Sequence, residues 1–243
     1  MMAELVGGEQ RVQKPNNTAV ARGADVAHLD LVEGLDASVI DDLFGGLSVV
    51  GVDAGEQFEI SGDDIHCALV ATGRLALDYD GAADRHRTVT LVEEGDILLR
   101  SHASGPAPKF SVRALGASQL IMVPNTRFER WIANPVFVQA LVRQLAAQIA
   151  DRELAAATAL EPRVEHRLLM KIGQLAERFG RATPQGLRLD LRLTHQQLAD
   201  MVGAVRESVT IAMGRLAASG DLVIDNRTIW IPYRDDPVDD ARP

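Results

Sequence analysis

The sequence predicts an α+β protein in which an all-β N-terminal domain is joined by a long helix to a small domain of helices and a β-hairpin. Three observations support this fold class. Apolar residues recur with a period near two from about 47 to 123, and with a period of 3.6 after Asn134-Pro135. A two-helix pattern around Gly203 is then followed by two short strands. The length of 243 residues also favours more than one domain.

The net charge of −9 is unevenly distributed along the chain. Residues 1–162 carry 13 Lys/Arg and 23 Asp/Glu, whereas residues 163–234 carry 11 Lys/Arg and 7 Asp/Glu. Residues 235–243 form an acidic tail. Only residues 163–234 carry a net positive charge, which a phosphate backbone attracts. A solvated helix face would give the same modest excess, so the charge alone does not establish a nucleic-acid interface.

Composition also indicates the compartment. No apolar run approaches the ~20 residues that a bilayer requires, and the N-terminus lacks the pattern of a signal peptide. We therefore expect a cytoplasmic protein without a membrane partner. The single cysteine, Cys67, excludes a disulfide within one chain and an iron–sulfur cluster held by four thiolates. We interpret it as a small buried hydrophobe on a strand, the alternative being a reactive thiol.

The first 133 residues are predicted to contain an arm and a β domain. Residues 1–27 are polar and lack a period, which predicts a mobile arm. Residues 28–133 then form the β domain, which begins with one or two short helices. Strand signals such as the alternating segment before Asp80-Gly81 follow at short intervals, which is typical of a sandwich or barrel. Its interior either holds a small ligand or is filled by side chains.

Residues 134–161 are predicted to form one long helix that ends at Pro162. This helix has a narrow apolar seam, which either packs on its own β domain or pairs with a twin helix across a two-fold axis. The narrow width of the apolar seam favours pairing with a twin helix, and hence a homodimer. The predicted dimer-interface residues are Val138, Leu141, Val142, Leu145 and Ile149. A second amphipathic helix follows, with Gly180 as its C-terminal stop.

Next comes a half-buried strand over 187–193 and then a pair of short helices. Thr194 and Gln197 have the spacing of a capping box, which predicts a helix start. Gly203 suits a tight turn, and a second helix is predicted from Ala204. Its apolar residues Val209, Met213 and Leu216 point inward, which leaves polar residues on the opposite side: Arg206, Glu207, Ser208 and Thr210.

These polar residues have the chemistry to bind DNA bases. Arg donates two hydrogen bonds to guanine, Glu accepts from cytosine, and Ser or Thr reaches a base edge or a phosphate. Residues 222–224 and 228–231 are predicted to form a hairpin wing beside the second helix. The alternative is a small helical domain whose hairpin binds protein. The order of two short helices, a glycine turn between them and a following hairpin favours a helix-turn-helix that enters the major groove of double-stranded DNA.

This order of elements, with Leu193-Thr194-His195-Gln196-Gln197-Leu198-Ala199 and Gly203-Ala204-Val205-Arg206-Glu207-Ser208-Val209, resembles the Crp/Fnr family of bacterial regulators. The resemblance covers roughly 29–233. It implies a β-roll of the cyclic-nucleotide-binding jelly-roll type, a dimerisation helix and a winged helix-turn-helix over 162–234. It also implies a homodimeric transcriptional regulator that contacts RNA polymerase if it is an activator.

By this resemblance Arg206 and Glu207 contact bases, while Thr194, Gln196 and Ser208 hold phosphates. His195 and Thr210 complete the predicted DNA-binding set.

The sequence departs from the family pattern at two positions of the second helix. Val205 stands where the family usually has Ser or Thr before the Arg-Glu pair, and it cannot cap the helix through its side chain. Ile211 stands where a second Arg usually lies. We therefore expect one groove contact to be absent and the operator to differ from the usual site of the family.

Family members that bind cyclic nucleotides carry a Glu and an Arg in a short segment after a Gly-Asp turn. Here the Glu is missing, and Lys109 or a neighbour occupies the position of the Arg. Lys does not replace the planar guanidinium group, so cyclic AMP is disfavoured and the effector is unassigned. The candidate effector pocket comprises Gly95, Asp96, Arg100, Ser101, Lys109 and Ser111.

No metal or catalytic site is predicted. His66, His86 and His102 stand singly and lack the spacing of metal ligands, so a cupin-like metalloenzyme is poorly supported and haem ligation has no positive sign. No catalytic triad, phosphate loop or carboxylate pair stands out. We expect a protein that is not an enzyme. The alternative function is a ligand-binding or protein-interaction β-roll with a winged domain that binds DNA without sequence preference.

Overall fold

A computed structural model describes residues 18–58, 60, 64–81, 85–99, 110–226 and 228–233. The chain divides into two compact units, residues 1–150 and 151–243. No helix in the described ranges is long and apolar enough to cross a membrane.

The first unit is an antiparallel β sandwich with helices on one side. Its strands are β1 (Thr18–Val20), β2 (Ser48–Val52), β3 (Gln57–Phe58), β4 (Ile65–Thr72), β5 (Arg74–Gly81), β6 (Arg85–Glu93), β7 (Ile97–Leu99), β8 (Phe110–Ala114) and β9 (Ser118–Pro124). They form two sheets with the strand orders β1-β2-β9-β4-β7 and β3-β8-β5-β6. Helices α1 (Ala37–Phe44) and α2 (Asn125–Ala133) belong to this unit, and the long helix α3 (Pro135–Leu160) begins in it. The predicted α+β class is confirmed.

The alternation of side chains along the strands builds two apolar layers in this unit. Val70, Leu75 and Leu120 belong to the layer between the two sheets. The second layer joins the first sheet to the helices and includes an aromatic cluster, in which the ring of Trp131 lies 4.9 Å from those of Phe44 and Phe137. The buried indole Nε1 of Trp131 donates to the carbonyl of Leu43 at 3.0 Å. This second layer places α3 against the β domain.

The N-terminal arm is shorter than the sequence predicts. Residues 1–17 lie outside the described ranges, but β1 pairs with β2 and a 3₁₀ turn follows over Gly23–Asp25. Ala21 and Val26 are 1% and 0% exposed. The prediction of a mobile arm was therefore wrong for residues 18–27. A three-residue strand and a single turn are too short to give a periodic signal.

Helix α3 has the predicted length, but its predicted seam is divided between two faces. Leu141 is 2% exposed and packs in the core of its own domain, so its assignment to a dimer interface was wrong. Val142 and Ile149 are 60% and 54% exposed. A helix repeats every 3.6 residues, so the adjacent positions 141 and 142 point about 100° apart and fall on different faces.

The second unit is built from three helices and a four-stranded sheet. Helices α4 (Val164–Phe179), α5 (His195–Val202) and α6 (Arg206–Ala218) are accompanied by β10 (Gly180–Thr183), β11 (Gly186–Leu189), β12 (Val223–Asp225) and β13 (Thr228–Pro232). The strand order is β10-β11-β13-β12. The predicted stop of α4 at Gly180 and the predicted hairpin are confirmed. Strand β10 was not predicted, the strand predicted to reach Leu193 ends at Leu189, and α6 starts at Arg206 rather than Ala204.

The buried indole of Trp131 gives a test of the core. Trp131→Ala removes a fully buried side chain and its hydrogen bond, and is expected to lower the free energy of unfolding by about 3–5 kcal/mol. Urea denaturation followed by circular dichroism measures this change. Ile132→Ala is the matched control, because the Ile132 side chain is 49% exposed and its loss should cost well under 1 kcal/mol. Equal losses for both variants would contradict the described core.

Candidate nucleic-acid interface

Helix α5 begins with a capping box and ends with a glycine at the bend into α6. The amide of Gln197 donates to Oγ1 of Thr194 at 3.1 Å, and the amide of Thr194 donates to Oε1 of Gln197 at 2.8 Å. Gly203 ends α5 with φ of 63°, a left-handed conformation that glycine adopts without steric cost. The predicted capping box and the predicted glycine turn are both confirmed.

The two sides of α6 differ in burial. Val209, Ala212, Met213 and Leu216 are buried against α4 and α5. Arg206, Glu207 and Thr210 are exposed on the remaining surface, and Ser208 is half-buried. The side chains of Arg206 and Glu207 make no hydrogen bond or ion pair with any other residue in the described ranges, so both are available to a partner.

Most of the other predicted DNA-binding side chains already have partners within the domain. The hydroxyl of Thr210 donates to the carbonyl of Arg206 at 3.0 Å and lies 2.8 Å from Nδ1 of His195. Gln196 donates to the carboxylate of Asp200 at 2.8 Å, within α5. The His195–Thr210 contact joins α5 to α6, so these two residues fix the angle between the helices.

Arg167 on α4 is a positioning residue that the sequence did not reveal. Its Nε donates to the carbonyl of Val202 at 2.9 Å, and its Nη1 donates to the carbonyl of Glu161 at 2.8 Å. One side chain therefore holds the end of α5 and the chain before α4. A single Arg on an amphipathic helix is an ordinary surface residue in a sequence pattern, so no signal marked it.

Two further contacts of α4 involve charged groups. Nη1 of Arg215 lies 2.5 Å from Oε1 of Glu165, and this hydrogen bond holds the pKa of the Glu165 carboxyl below its ordinary value. Lys171 is 4% exposed, and its Nζ donates to Oε1 of Gln174 at 3.0 Å. Burial lowers the pKa of Lys171 from 10.5 to about 8, partly opposed by the charge of Asp151.

The predicted effector-pocket residues are not assembled into one described site. Gly95 and Asp96 form the turn before β7, where the Asp96 carboxylate accepts from the amide of Glu93 at 2.8 Å and from Nε2 of Gln148 at 3.3 Å. Gln144 also donates to the carbonyl of Gly95. These bonds attach the turn to α3. Arg100, Ser101 and Lys109 lie outside the described ranges.

Ser111 lies in the other sheet, beside a buried polar network that the sequence did not predict. It is 5% exposed, and its hydroxyl has no hydrogen-bond partner among the residues that the structure describes. Its cross-strand neighbour Asp78 is fully buried and accepts hydrogen bonds at 2.7 Å from Nε of Arg113 and from Oγ1 of Thr88. Asp78 alternates with apolar residues along β5, a pattern that does not by itself indicate its burial.

The remaining candidate residues that the structure describes form no reactive site. His66 stacks on Phe128 with ring centroids 3.8 Å apart, while His102 and the side chain of His86 lie outside the described residues. No group of His, Cys, Asp and Glu in the described ranges could hold a metal ion. Cys67 is fully buried on β4, and burial raises the pKa of its thiol to about 12. Its interpretation as a buried hydrophobe is confirmed.

An antiparallel β domain, a long helix and a helix-turn-helix with a hairpin wing together define a class of DNA-binding transcriptional regulators. Residues 162–236 match the Crp-like helix-turn-helix domain. The chain is 32% identical over 159 residues to the regulatory protein CysR of Synechococcus elongatus, an alignment that covers 60% of this chain and 72% of that protein. The chain belongs to the Crp/Fnr family of transcriptional regulators.

More distant relatives match a larger share of the chain. The CRP-like cAMP-activated global transcriptional regulator of Mycobacterium tuberculosis is 23% identical over 209 residues, covering 85% of this chain and 93% of the relative. The solved structure of a CooA mutant from Carboxydothermus hydrogenoformans superimposes with a TM-score of 0.69 at 19% identity, over 84% of this chain and 90% of that one. The predicted β-roll and winged helix-turn-helix fold is confirmed.

The lowered pKa of Lys171 on α4 can be tested through the pH dependence of the free energy of unfolding. A lowered pKa in the folded state means that the unfolded chain binds more protons at Lys171 between pH 8 and 10.5, so the contribution of Lys171 to stability rises with pH across this range. Lys171→Met should abolish this rise, which corresponds to about 3 kcal/mol at most. Urea denaturation at several pH values in that window, compared between wild type and variant, measures the difference. Parallel stability curves would contradict the lowered pKa.

Proposed function

We propose that the protein binds a specific operator as a homodimer, and that Arg206 and Glu207 of α6 contact base edges in the major groove. The observation that carries this proposal is the arrangement of α6. Its apolar side is buried, while these two charged side chains are exposed and unpaired among the described residues. Arg donates to guanine O6 and N7, and Glu accepts from cytosine N4.

The residues around this pair have supporting roles in the proposal. Thr194, Gln196 and Ser208 contact phosphates, which fixes the register of the domain on DNA without reading sequence. His195 and Thr210 hold α5 and α6 at the angle at which Arg206 projects outward. The excess of basic residues over 163–234 adds a general attraction to the phosphate backbone.

The proposed dimer forms through the outward face of α3. Val138, Val142, Leu145 and Ile149 are separated by four, three and four residues, the spacing of a coiled-coil seam. Leu145 lies at the edge of this face and is partly buried against the core of its own domain. Val142 and Ile149 expose more than half of their surface, which a twin helix would cover. A two-fold dimer then places its two recognition helices about 34 Å apart, one turn of B-DNA. Bound at a promoter as an activator, this dimer would contact RNA polymerase.

We propose that an effector bound by the β-roll regulates DNA binding. The turn at Gly95 and Asp96 is bonded to Gln144 and Gln148 of α3, so a ligand that moves this turn also moves the helix. The relative from M. tuberculosis is named as cAMP-activated. Because this chain lacks the Glu of the usual phosphate segment and has Lys109 near the Arg position, we propose that its effector binds through other contacts.

Arg206→Ala is expected to weaken operator binding by about 1–3 kcal/mol and to relax the preference for one base pair, because it removes a bidentate contact. Fluorescence anisotropy with the operator enriched from a random duplex library, at fixed salt, measures both effects. Arg181→Ala is the control, since Arg181 is an exposed cation on β10 whose nearest described carboxylate is Asp190.

Two outcomes would contradict this part of the proposal. Equal weakening on all sequences would assign Arg206 to a phosphate rather than a base. A library that yields no enriched motif with wild-type protein would favour the alternative function, a β-roll module whose winged domain binds DNA without sequence preference.

A charged residue introduced on the outward face of α3 tests whether the dimer forms through this face. Val142→Glu places a carboxylate at the centre of the proposed seam and should convert the dimer to monomer, because an unpaired charge is costly to bury. Light scattering after size-exclusion chromatography measures the mass. Ala147→Glu is the control, as Ala147 is also exposed on α3 but points about 140° away from Val142. A wild-type protein that is monomeric, or two variants that both remain dimeric, would overturn this interface.

A further inference from the structure

An apolar side chain lies among the polar residues on the outward face of α6. Ile211 is 57% exposed, four residues after Glu207. Residues at this spacing lie one above the other on a helix, with Cβ atoms about 5–6 Å apart. The other large apolar side chains of α6, those of Val209, Met213 and Leu216, are buried. Ile211 therefore belongs to the face that carries Glu207, and no described contact of the domain accounts for it.

The polar residue beside Ile211 is already engaged. Thr210 uses its hydroxyl in the bonds to the carbonyl of Arg206 and to His195. At the second turn of α6, the side chain left to meet a base is therefore that of Ile211. Three residues further on, Gly214 adds no side chain, and apart from its chain neighbours and the backbone of its own helix no described atom lies within 4 Å of where its Cβ would be. The outward surface next to Ile211 is open.

We propose that Ile211 recognises the C5 methyl group of a thymine in the operator, an inference that rests on the proposed function. Thymine is the base that presents a methyl group in the major groove. Isoleucine has no donor or acceptor, so its contact with the polar edge of another base would bury unpaired polar atoms. A methyl group instead gives an apolar contact without this cost. Ile211 thus favours thymine through an apolar contact with its methyl group. It disfavours the other bases because their polar edges would be left unpaired.

The spacing on the helix locates this thymine. Four residues advance an α-helix by about 6 Å, and successive base pairs of B-DNA are about 3.4 Å apart. The thymine should therefore lie within about two base pairs of the pair contacted by Glu207. Each half-site of a palindromic operator would contain one such thymine.

Deoxyuridine substitution tests the contact, because it removes the C5 methyl and keeps every hydrogen-bonding group of thymine. The operator is first enriched from a random duplex library with full-length wild-type protein. Each thymine of one half-site is then replaced singly by deoxyuridine, and the dissociation constant is measured by fluorescence anisotropy. One position near the Glu207 base pair should lose about fourfold in affinity, the loss expected for one methyl group.

A double-mutant cycle assigns that loss to Ile211. Ile211→Ala should bind the thymine and deoxyuridine operators with equal affinity at that position. Met170→Ala is the matched control, because Met170 is an apolar residue of α4 with 40% exposure, and this variant should keep the fourfold loss. Circular dichroism confirms that each variant is folded.

The outcomes separate the two proposals. Specific operator binding with no sensitive thymine, or with a sensitivity that persists in Ile211→Ala, overturns the role of Ile211 and leaves the regulator function intact. Failure of the wild-type protein to enrich any motif overturns the proposed operator specificity itself.

Discussion

The burial of one side of α6 against α4 and α5 is the interaction on which the interface depends. Because Val209, Ala212, Met213 and Leu216 turn inward, the remaining positions of the helix must face outward. The capping box at Thr194 sets where α5 begins, and the left-handed Gly203 sets where it ends, before the chain enters α6. Arg167 and the His195–Thr210 contact hold the angle between the helices. Arg206 and Glu207 are thus left exposed, without a side-chain partner among the described residues.

The parts of the fold that the sequence predicted are those governed by local rules. The capping box, the glycine turn and the stop at Gly180 each depend on a few neighbouring residues, and all three are confirmed. The same holds for the apolar side of α6 and for the wing. These local signals placed Arg206 and Glu207 correctly on the exposed side of their helix.

The features that the sequence did not predict depend on contacts between distant residues. Leu141 and Val142 are adjacent and equally apolar, and only the position of the β domain decides which of them is buried. Asp78 occupies a regular place in an alternating strand, and its burial depends on Arg113, 35 residues away. Likewise, the short β1 strand is ordered by pairing with β2 rather than by a pattern of its own. In each case tertiary packing decides what local periodicity leaves open.

The bonds of Arg167 also determine where this protein can bend. One guanidinium group joins the carbonyls of Glu161 and Pro162 to that of Val202, at the end of α5. The chain cannot change direction at Pro162 without breaking hydrogen bonds to a charged donor, which are stronger than neutral ones. The segment from Glu161 onward therefore moves with the helix-turn-helix as one body. The last turns of α3 belong to the same body, because Gln174 and Arg178 of α4 donate to the carbonyl and the carboxylate of Asp151 at 3.1 and 2.7 Å.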